Sequence, residues 1–183
     1  VNGSQISNVE RLLLRTGDGD DVLRNTIAAS NDDLRTGAGN DTIMADLGRV
    51  QIDFMFRSAL SATSFGSKGG GGDTIYLGGG SNLIIAGSGR DTIFGADTAG
   101  SQNIILADNG TVQFRTGEAA LAGQLKLTFA VSGSYTHMLD YVEAPVAETG
   151  GTGNDDTLRL GSGSAIVFGG AGLDAISFTA ATS

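Results

Sequence analysis

The chain has no cysteine, no tryptophan, one proline and one histidine in 183 residues, and only 6% of its residues are aromatic. Without cysteine, neither disulfide bonds nor thiolate metal ligands are available. With so few large side chains, an ordinary globular core would be poorly filled. No apolar run approaches the roughly 18 residues of a membrane span. Residues 1–10 lack a basic region followed by an apolar one, so we expect an internal fragment or mature unit of a longer protein.

Glycine and acidic residues are abundant instead. The 30 glycines are more than twice the usual share of about 7%, and they recur in register with aspartate and an aliphatic residue. This regularity argues against a flexible linker or collagen. With 20 acidic and 11 basic residues, the formal net charge is -9. Such a surface repels nucleic acid and attracts cations.

A nine-residue pattern recurs along the chain, in which glycines precede an aspartate and the aspartate precedes an aliphatic residue by two positions. Its clearest copies are KGGGGDTIY (68–76), AGSGRDTIF (86–94) and GGAGLDAIS (169–177), and TGDGDDVLR (16–24) and TGAGNDTIM (36–44) share the spacing. A repeat of fixed period predicts a solenoid.

The residue types at these positions indicate a cation site followed by a short strand. Glycine permits turn conformations that leave backbone carbonyl groups free to face a cation. Aspartate adds a hard anionic oxygen, which suits Ca²⁺ with its six to eight oxygen ligands. One inward side chain from each strand is expected to build the core, from Leu23, Leu34, Ile43, Ile75, Ile84, Ile93, Ile105, Leu158, Val167 and Ile176.

These motifs resemble the hemolysin-type calcium-binding repeat of RTX proteins over roughly residues 9–44, 68–114 and 150–178. The resemblance implies an all-β fold, a right-handed parallel β-roll or β-helix solenoid with strand or hairpin inserts. In such a roll two nonapeptides form one coil of 18 residues. Ca²⁺ is then expected between the turns of successive coils.

Two pairs of aspartates are predicted to hold calcium on one edge of the roll. Asp73 and Asp91 are 18 residues apart, and so are Asp156 and Asp174. Each pair would stack and bind the ion together with carbonyl groups of its glycine turns. The alternative is that these turns are merely tight and bind no metal. The glycines assigned to the sites are Gly69, Gly71, Gly87, Gly89, Gly170 and Gly172.

A third site is expected at Asp21 and Asp41 only if the chain bulges. These two residues are 20 apart, so two extra residues must be accommodated near Asn25 and Thr26. The copy at 27–35 has alanine and serine where glycine is expected. It should still form a coil edge, with doubtful metal affinity.

The opposite edge is predicted to be less acidic. Alternate nonapeptides lie on opposite edges, so the aspartate position there is taken by Asn82, by Asn103 after a three-residue insertion at 95–97, and by Ala165. Neutral side chains do not attract Ca²⁺, so hydrogen bonds alone should close this edge.

The turn GGTGNDDTL (150–158) allows two registers. Asp156 at the metal position places Leu158 inside the roll, whereas Asp155 would place Thr157 there. Burial of leucine favours Asp156.

A longer repeat overlies the nonapeptides, because TIMADLGRVQI (42–52) matches IILADNGTVQF (104–114) 62 residues later. We divide the single segment 1–183 into degraded repeats 9–52, an insert 53–67, repeats 68–114, an insert 116–149 and repeats 150–178. Alternation at Ile52/Phe54/Phe56 and at Leu125/Leu127/Phe129/Val131 predicts half-buried strands. The inserts should therefore form longer strands or hairpins that cap or flank the roll.

Arginine recurs at outward positions of the repeat, at Arg15, Arg24, Arg35, Arg115 and Arg159. One interpretation is a solvated row that balances the acidic turns. The other is a contact with a glycan or an anionic polymer, since the guanidinium group suits carboxylates.

Signs of catalysis are few, so we expect no enzyme. His137 is the only histidine, and no G-x-S-x-G nucleophile motif accompanies it. The paired carboxylates could suggest glycoside hydrolysis, but the repeat explains them. The glycine turns lack the G-K-[ST] of a phosphate-binding loop.

The sequence thus predicts a calcium-stabilised structural repeat segment of a secreted or cell-surface bacterial protein, such as an adhesin or a matrix, surface-layer or filament component. The alternative is a calcium-dependent secretion and folding module of a secreted enzyme. We expect self-association end to end or with further repeats, cell-surface or glycan contacts, no nucleic acid and no membrane span. Solenoid ends require a cap or a partner.

Overall fold

Three β-sheets make up the protein in a computed structural model that describes residues 11–25, 30–53, 58–65, 70–96, 101–116, 129–130, 136–143 and 154–179. No helix occurs within these ranges, and none of them could therefore cross a membrane as a helix. The strands are β1 (Leu13–Arg15), β2 (Val22–Arg24), β3 (Asp33–Arg35), β4 (Thr42–Met44), β5 (Gly48–Asp53), β6 (Ser58–Ser64), β7 (Thr74–Tyr76), β8 (Leu83–Ile85), β9 (Thr92–Phe94), β10 (Gln102–Leu106), β11 (Thr111–Thr116), β12 (Phe129–Ala130), β13 (Thr136–Glu143), β14 (Thr157–Leu160), β15 (Ser164–Phe168) and β16 (Ala175–Phe178).

Two parallel sheets form a β-roll, as the nonapeptide pattern predicts. The outer sheet has the order β1-β3-β7-β9-β14-β16, and the middle sheet has the order β15-β10-β8-β4-β2. The chain alternates between the two sheets, so each coil contributes one short strand to each. Strands of three residues are sufficient here because the same register repeats from coil to coil, as in Leu34 beside Ile75 and Ile75 beside Ile93.

The inward aliphatic residues form the core between these two sheets. Eight of the ten predicted residues are buried there, and Val167 packs against them from a partly buried position. Ile176 lies in the predicted register beside Leu158, but its expected burial is wrong, because 43% of this residue is exposed. Ile176 lies on β16, the last strand of the outer sheet, which pairs only with β14 among the described residues. No described coil covers it from the other side.

The inserts build a third, antiparallel sheet, which we call the flanking sheet. Its order is β12-β13-β11-β6-β5. Ala62, Val112 and Phe114 from this sheet form a second buried cluster with the outward side chains of the middle sheet, including Ile85 and Leu106. The expectation that the inserts flank the roll is therefore confirmed, while Phe54, Phe56, Leu125, Leu127 and Val131 lie outside the described residues.

The chain leaves the roll earlier than the repeat pattern suggests. β5 begins at Gly48 and β11 begins at Thr111, and both pair antiparallel with β6. Residues 48–52 and 111–114, which the pattern assigned to repeat blocks, thus belong to the flanking sheet. In both blocks the chain leaves the roll after a middle-sheet strand, after β4 at Met44 and after β10 at Leu106.

A ladder of arginine and aromatic side chains runs along the solvent face of the outer sheet. Register places Arg15, Arg35, Tyr76, Phe94 and Arg159 side by side on successive strands. The two rings stack with centroids 4.8 Å apart, and the Arg35 guanidinium lies 4.2 Å from the Tyr76 centroid. Arg35 also pairs with Asp33 at 2.8 Å, and this hydrogen bond lowers the pKa of Asp33. Three of the five recurring arginines thus share a ladder with two aromatic rings, whereas Arg24 lies on β2 of the middle sheet and Arg115 lies on β11 of the flanking sheet.

Candidate metal centre

The turns that lead from the middle sheet to the outer sheet carry a column of stacked aspartates, which we call the acidic edge. In each step the backbone N–H of one residue donates to the Oδ1 atom of the aspartate on the next coil, at 2.7 to 3.1 Å. The column consists of Asp32, Asp73, Asp91, Asp156 and Asp174. It brings together both of the predicted pairs, and it confirms Asp156 as the residue in register, with Leu158 fully buried.

The second carboxylate oxygen of three aspartates in this column is buried without a hydrogen-bond partner. Asp73, Asp91 and Asp156 are at most 1% exposed. Their Oδ2 atoms are buried and have no hydrogen-bond partner in the protein. A buried anionic oxygen without a partner costs several kcal/mol unless a cation or a donor satisfies it. Three such oxygens in one column favour a bound cation.

The pKa values of the same three carboxyl groups are raised, which also favours a bound cation. Burial, together with the neighbouring carboxylates of Asp73, Asp156 and Asp46, raises the pKa of Asp91 to about 9, although the hydrogen bond from the Asp73 backbone lowers it. Burial likewise raises the pKa of Asp73 to about 8 and that of Asp156 to about 7. Without a cation the charged forms are strongly disfavoured.

The glycines of these turns bring backbone carbonyl groups into the same region. Gly87 and Gly89 have φ angles of 106° and 144°, which other residues rarely adopt. A Cβ atom at Gly89 would overlap with the carbonyl oxygen of Gly71 on the neighbouring coil. Successive turns therefore approach each other closely, and carboxylate and carbonyl oxygens together suit Ca²⁺. Gly170 and Gly172 have similar positive φ angles, while Gly69 lies outside the described residues.

Asp32 shows how the column is satisfied without a cation. Its Oδ2 accepts hydrogen bonds from Asn25 Nδ2 at 2.6 Å and from Ser30 Oγ at 3.0 Å. This turn belongs to the degraded copy 27–35, whose residues 27–29 lie outside the described part. Side-chain donors thus occupy the position that the neighbouring aspartates leave open, in agreement with the doubt about metal affinity here.

The opposite edge carries the other column that the spacing predicts, with an unforeseen change of character along it. Asn82 donates from its backbone N–H and from Nδ2 to Asn103 Oδ1, both at 3.1 Å, and Asn103 lies beside Ala165. The same column continues to Asp41 and Asp21, which are joined by a hydrogen bond of 3.0 Å. This edge is therefore neutral at one end and acidic at the other.

Asp21 and Asp41 are stacked as a third site requires. Because β1 pairs with β3 and β2 pairs with β4 in regular register, the two extra residues fall between Arg24 and Asp33 in the sequence. Asp21 Oδ2 is buried without a hydrogen-bond partner, and burial raises the pKa of Asp41.

Three relations escaped the sequence analysis. Asp91 N donates to Asp156 Oδ1 at 2.8 Å, although 65 residues separate them. The spacing of the repeat did not predict this pair, because the insert 116–149 lies between the two coils in the sequence. Asp46 and Asp108 also lie at the acidic edge, where they contact the turns at Gly87 and Gly170. The longer repeat could have predicted that these two residues are equivalent, because it aligns Asp46 with Asp108.

The described residues contain no group of three or more histidine, aspartate or glutamate side chains that would hold a metal by themselves. The carboxylates are instead spread along a column, one for each coil. An ion at this edge must therefore take many of its ligands from backbone carbonyl groups, as the glycine turns allow.

A parallel β-roll with glycine turns and a column of buried carboxylates defines the class of calcium-binding repeat proteins. The comparison with known families agrees: a family model for the RTX calcium-binding nonapeptide repeat matches in four copies, at residues 28–52 and 69–99. The chain thus carries RTX repeats, which bind calcium. No curated protein and no solved structure shows a significant match to the chain.

Proposed function

We propose that the chain is a calcium-stabilised structural repeat segment of a secreted or cell-surface bacterial protein. The observation that carries this proposal is the acidic edge, where the buried Oδ2 atoms of Asp73, Asp91 and Asp156 have no hydrogen-bond partner. Calcium satisfies these oxygens and neutralises part of the net charge of -9. RTX repeats are typical of secreted bacterial proteins, which supports an extracellular location.

The flanking sheet supports a structural role in an adhesin, matrix, surface layer or filament. Both segments that leave the roll add strands to the flanking sheet. This sheet packs on the middle sheet through the buried cluster that includes Val112 and Ile104. The inserts are therefore part of the architecture rather than loops on a simple run of nonapeptides. This favours a structural segment over a secretion and folding module of an enzyme, and a full-length gene with many further copies would support it.

We also propose that the segment is not itself catalytic. The repeat accounts for the paired aspartates, and the sequence contains a single histidine. If the full-length gene places a catalytic domain before these repeats, the secretion module becomes the better account.

Circular dichroism with and without calcium tests the proposed stabilisation. In excess chelator we expect loss of β-structure, and at millimolar Ca²⁺ we expect its return. An equal concentration of Mg²⁺ serves as the control, because Mg²⁺ demands octahedral geometry and gives up water reluctantly. A chain that is fully folded in chelator, with unchanged stability after calcium is added, would remove the basis of the proposal.

The partners we propose are a second copy or further repeats stacked at the β16 end of the roll. Ile176 and Phe178 on β16 are 43% and 57% exposed, and Leu173 in the preceding turn is 84% exposed. Exposed apolar side chains beside an unpaired strand edge favour addition of another strand. In analytical ultracentrifugation with calcium, Ile176→Lys should lower the associated fraction, whereas Ser177→Lys should lower it less. If both variants have the same associated fraction as the parent chain, end-to-end stacking is contradicted.

A further inference from the structure

Two aspartates outside the nonapeptide pattern lie at equivalent points of the acidic edge. Asp46 and Asp108 each lie two residues after the end of a middle-sheet strand, β4 and β10, and shortly before the chain enters the flanking sheet. Ala45 N donates to Ile85 O, and Ala107 N donates to Phe168 O. This register sets Asp46 beside Gly87 and Asp108 beside Gly170, where the repeat otherwise has glycine.

Both side chains point at the turn of the next coil. Asp46 Oδ2 accepts a hydrogen bond from Ser88 N at 2.8 Å, and Asp108 Oδ2 accepts one from Ala171 N at 2.7 Å. A Cβ atom at Gly87 would overlap with the Asp46 side chain, and one at Gly170 would overlap with that of Asp108. Asp46 and Asp108 are 2% and 3% exposed, so both residues are buried at the acidic edge.

Each of these carboxylates lies beside one of the aspartate pairs. A Cβ atom at Gly70, in the turn before Asp73, would overlap with Asp46 Oδ2, which also accepts the hydrogen bond from Ser88 N in the turn before Asp91. Asp108 Oδ2 accepts the hydrogen bond from Ala171 N in the turn before Asp174, and Asp174 Oδ1 accepts one from Asp156 N. The pairs themselves contribute buried Oδ2 atoms without partners, at Asp73, Asp91 and Asp156. Additional negative charge at such a place is unfavourable unless a cation is present.

We propose that Asp46 and Asp108 are further calcium ligands, each supplying a carboxylate beside the neighbouring pair, Asp73–Asp91 or Asp156–Asp174, with most of the other ligands coming from backbone carbonyl groups of the glycine turns. This inference rests on the proposed calcium function and extends it. Calcium affinity in oxygen sites increases with the number of charged ligands. The two sites with an added carboxylate are therefore the tighter ones of the chain.

The position of these residues gives the added ligands a structural consequence. Asp46 lies two residues before β5, and Asp108 lies three residues before β11. An ion held by them fixes the two points where the flanking sheet joins the roll. Calcium then stabilises the junction of roll and flanking sheet as well as the coils themselves.

Calorimetric titration of the chain with Ca²⁺, with the substitution Asp46→Asn, tests the proposal. Asparagine keeps an oxygen that can accept the Ser88 hydrogen bond, so this variant removes the charge and preserves the shape. We expect one site to bind about tenfold more weakly or worse. Asp155→Asn is the matched control, because Asp155 accepts a hydrogen bond from Leu173 N on the same edge but is half-exposed. Its calcium affinities should change by less than about twofold.

The outcomes separate this proposal from the calcium function itself. Calcium binding by the parent chain with unchanged affinity in Asp46→Asn overturns the ligand role alone and leaves Asp46 as an acceptor for Ser88. Absence of calcium binding by the parent chain overturns both. If Asp46→Asn does not fold at saturating calcium, anomalous diffraction of the parent chain with Tb³⁺ decides. An ion within about 2.6 Å of the Asp46 and Asp108 carboxylates supports the proposal, and ions remote from both overturn it.

Discussion

Each aspartate of the acidic edge uses its two carboxylate oxygens differently. Oδ1 accepts the backbone N–H of the preceding coil and sets the register, as between Asp73 N and Asp91 Oδ1 at 2.7 Å. Oδ2 has no hydrogen-bond partner at Asp73, Asp91 and Asp156. An asparagine can perform the first role, and Asn82 does so on the opposite edge. Only a carboxylate adds the charge that attracts Ca²⁺.

Substitution of Asp91 separates these roles. Asp91→Asn keeps the Oδ1 acceptor, and we expect it to lower the number of bound calcium ions by at least one. The free energy of unfolding should fall accordingly, by about 2.7 kcal/mol where calcium is present at 100 times the dissociation constant. Calorimetry and urea unfolding in calcium measure the two effects.

The control for this variant is Asn82→Ala on the opposite edge. It leaves the buried Asp41 N–H without its acceptor. Loss of that hydrogen bond should destabilise the fold by about 1–3 kcal/mol. The calcium count should not change. Loss of a calcium ion from the Asn82 variant, with none lost from the Asp91 variant, would contradict the assignment of the edges.

The raised pKa values predict how the calcium-free protein responds to pH. Asp91 and Asp73 have pKa values of about 9 and about 8 in the fold, against an ordinary aspartate pKa of 3.8. Between the ordinary pKa of 3.8 and these raised values, the folded state therefore binds more protons than the unfolded state. The free energy of unfolding decreases as pH rises through this range. In chelator, the melting temperature should be higher at about pH 5 than at about pH 8.

Two comparisons check that the acidic edge causes this pH response. Asp91→Asn should flatten the dependence, because it removes the group with the most strongly raised pKa of the three. Calcium affinity should show the opposite trend and weaken on acidification, since protons and Ca²⁺ compete for the same oxygens. A calcium-free protein that becomes more stable from about pH 5 to about pH 8 would disprove the role assigned to these carboxyl groups.

At the scale of single strands, the two faces of each triplet distinguish the sheets. The triplets TIY and TIF of β7 and β9 bury only their central isoleucine, whereas LII of β8 is buried at all three positions. The middle sheet is covered on both faces, by the outer sheet and by the flanking sheet. The apolar flanks of these triplets thus mark the sheet that receives the inserts.

The sequence predicted elements well wherever spacing stayed regular. The 18-residue separation of Asp73 and Asp91 correctly predicts neighbouring coils. The separation of 65 residues between Asp91 and Asp156 contains a long insert, so periodicity could not reveal that they are neighbours. The bounds of β5 and β11 were also missed, because the pattern in the chain does not show where pairing changes from parallel to antiparallel.

The stacked rings on the outer sheet should stabilise the roll independently of calcium. Tyr76→Ala removes one ring of the pair with Phe94, and we expect a loss of about 0.5–1.5 kcal/mol from the pair together with the lost apolar area. Tyr76→Phe keeps the ring and should change stability little. Urea unfolding at saturating calcium measures both variants, and calorimetry should find the same number of ions. A calcium site lost in Tyr76→Ala would show that the ladder and the acidic edge are coupled.

The whole molecule combines a thin aliphatic core with a high density of negative charge. Its inward residues are aliphatic side chains of moderate size, with no tryptophan and few aromatic rings. Such a core contributes limited stability, and the net charge of -9 opposes compaction. Calcium at the acidic edge offsets both effects, because binding free energy then contributes to folding.

The central claim is that calcium binds between successive turns of the acidic edge, and anomalous diffraction from a crystal grown in calcium tests it most directly. The account predicts ions beside Asp73 and Asp91 and beside Asp156 and Asp174, with none beside Asn82 and Asn103. Ions beside Asn82 and Asn103, with none between Asp73 and Asp91, would contradict it.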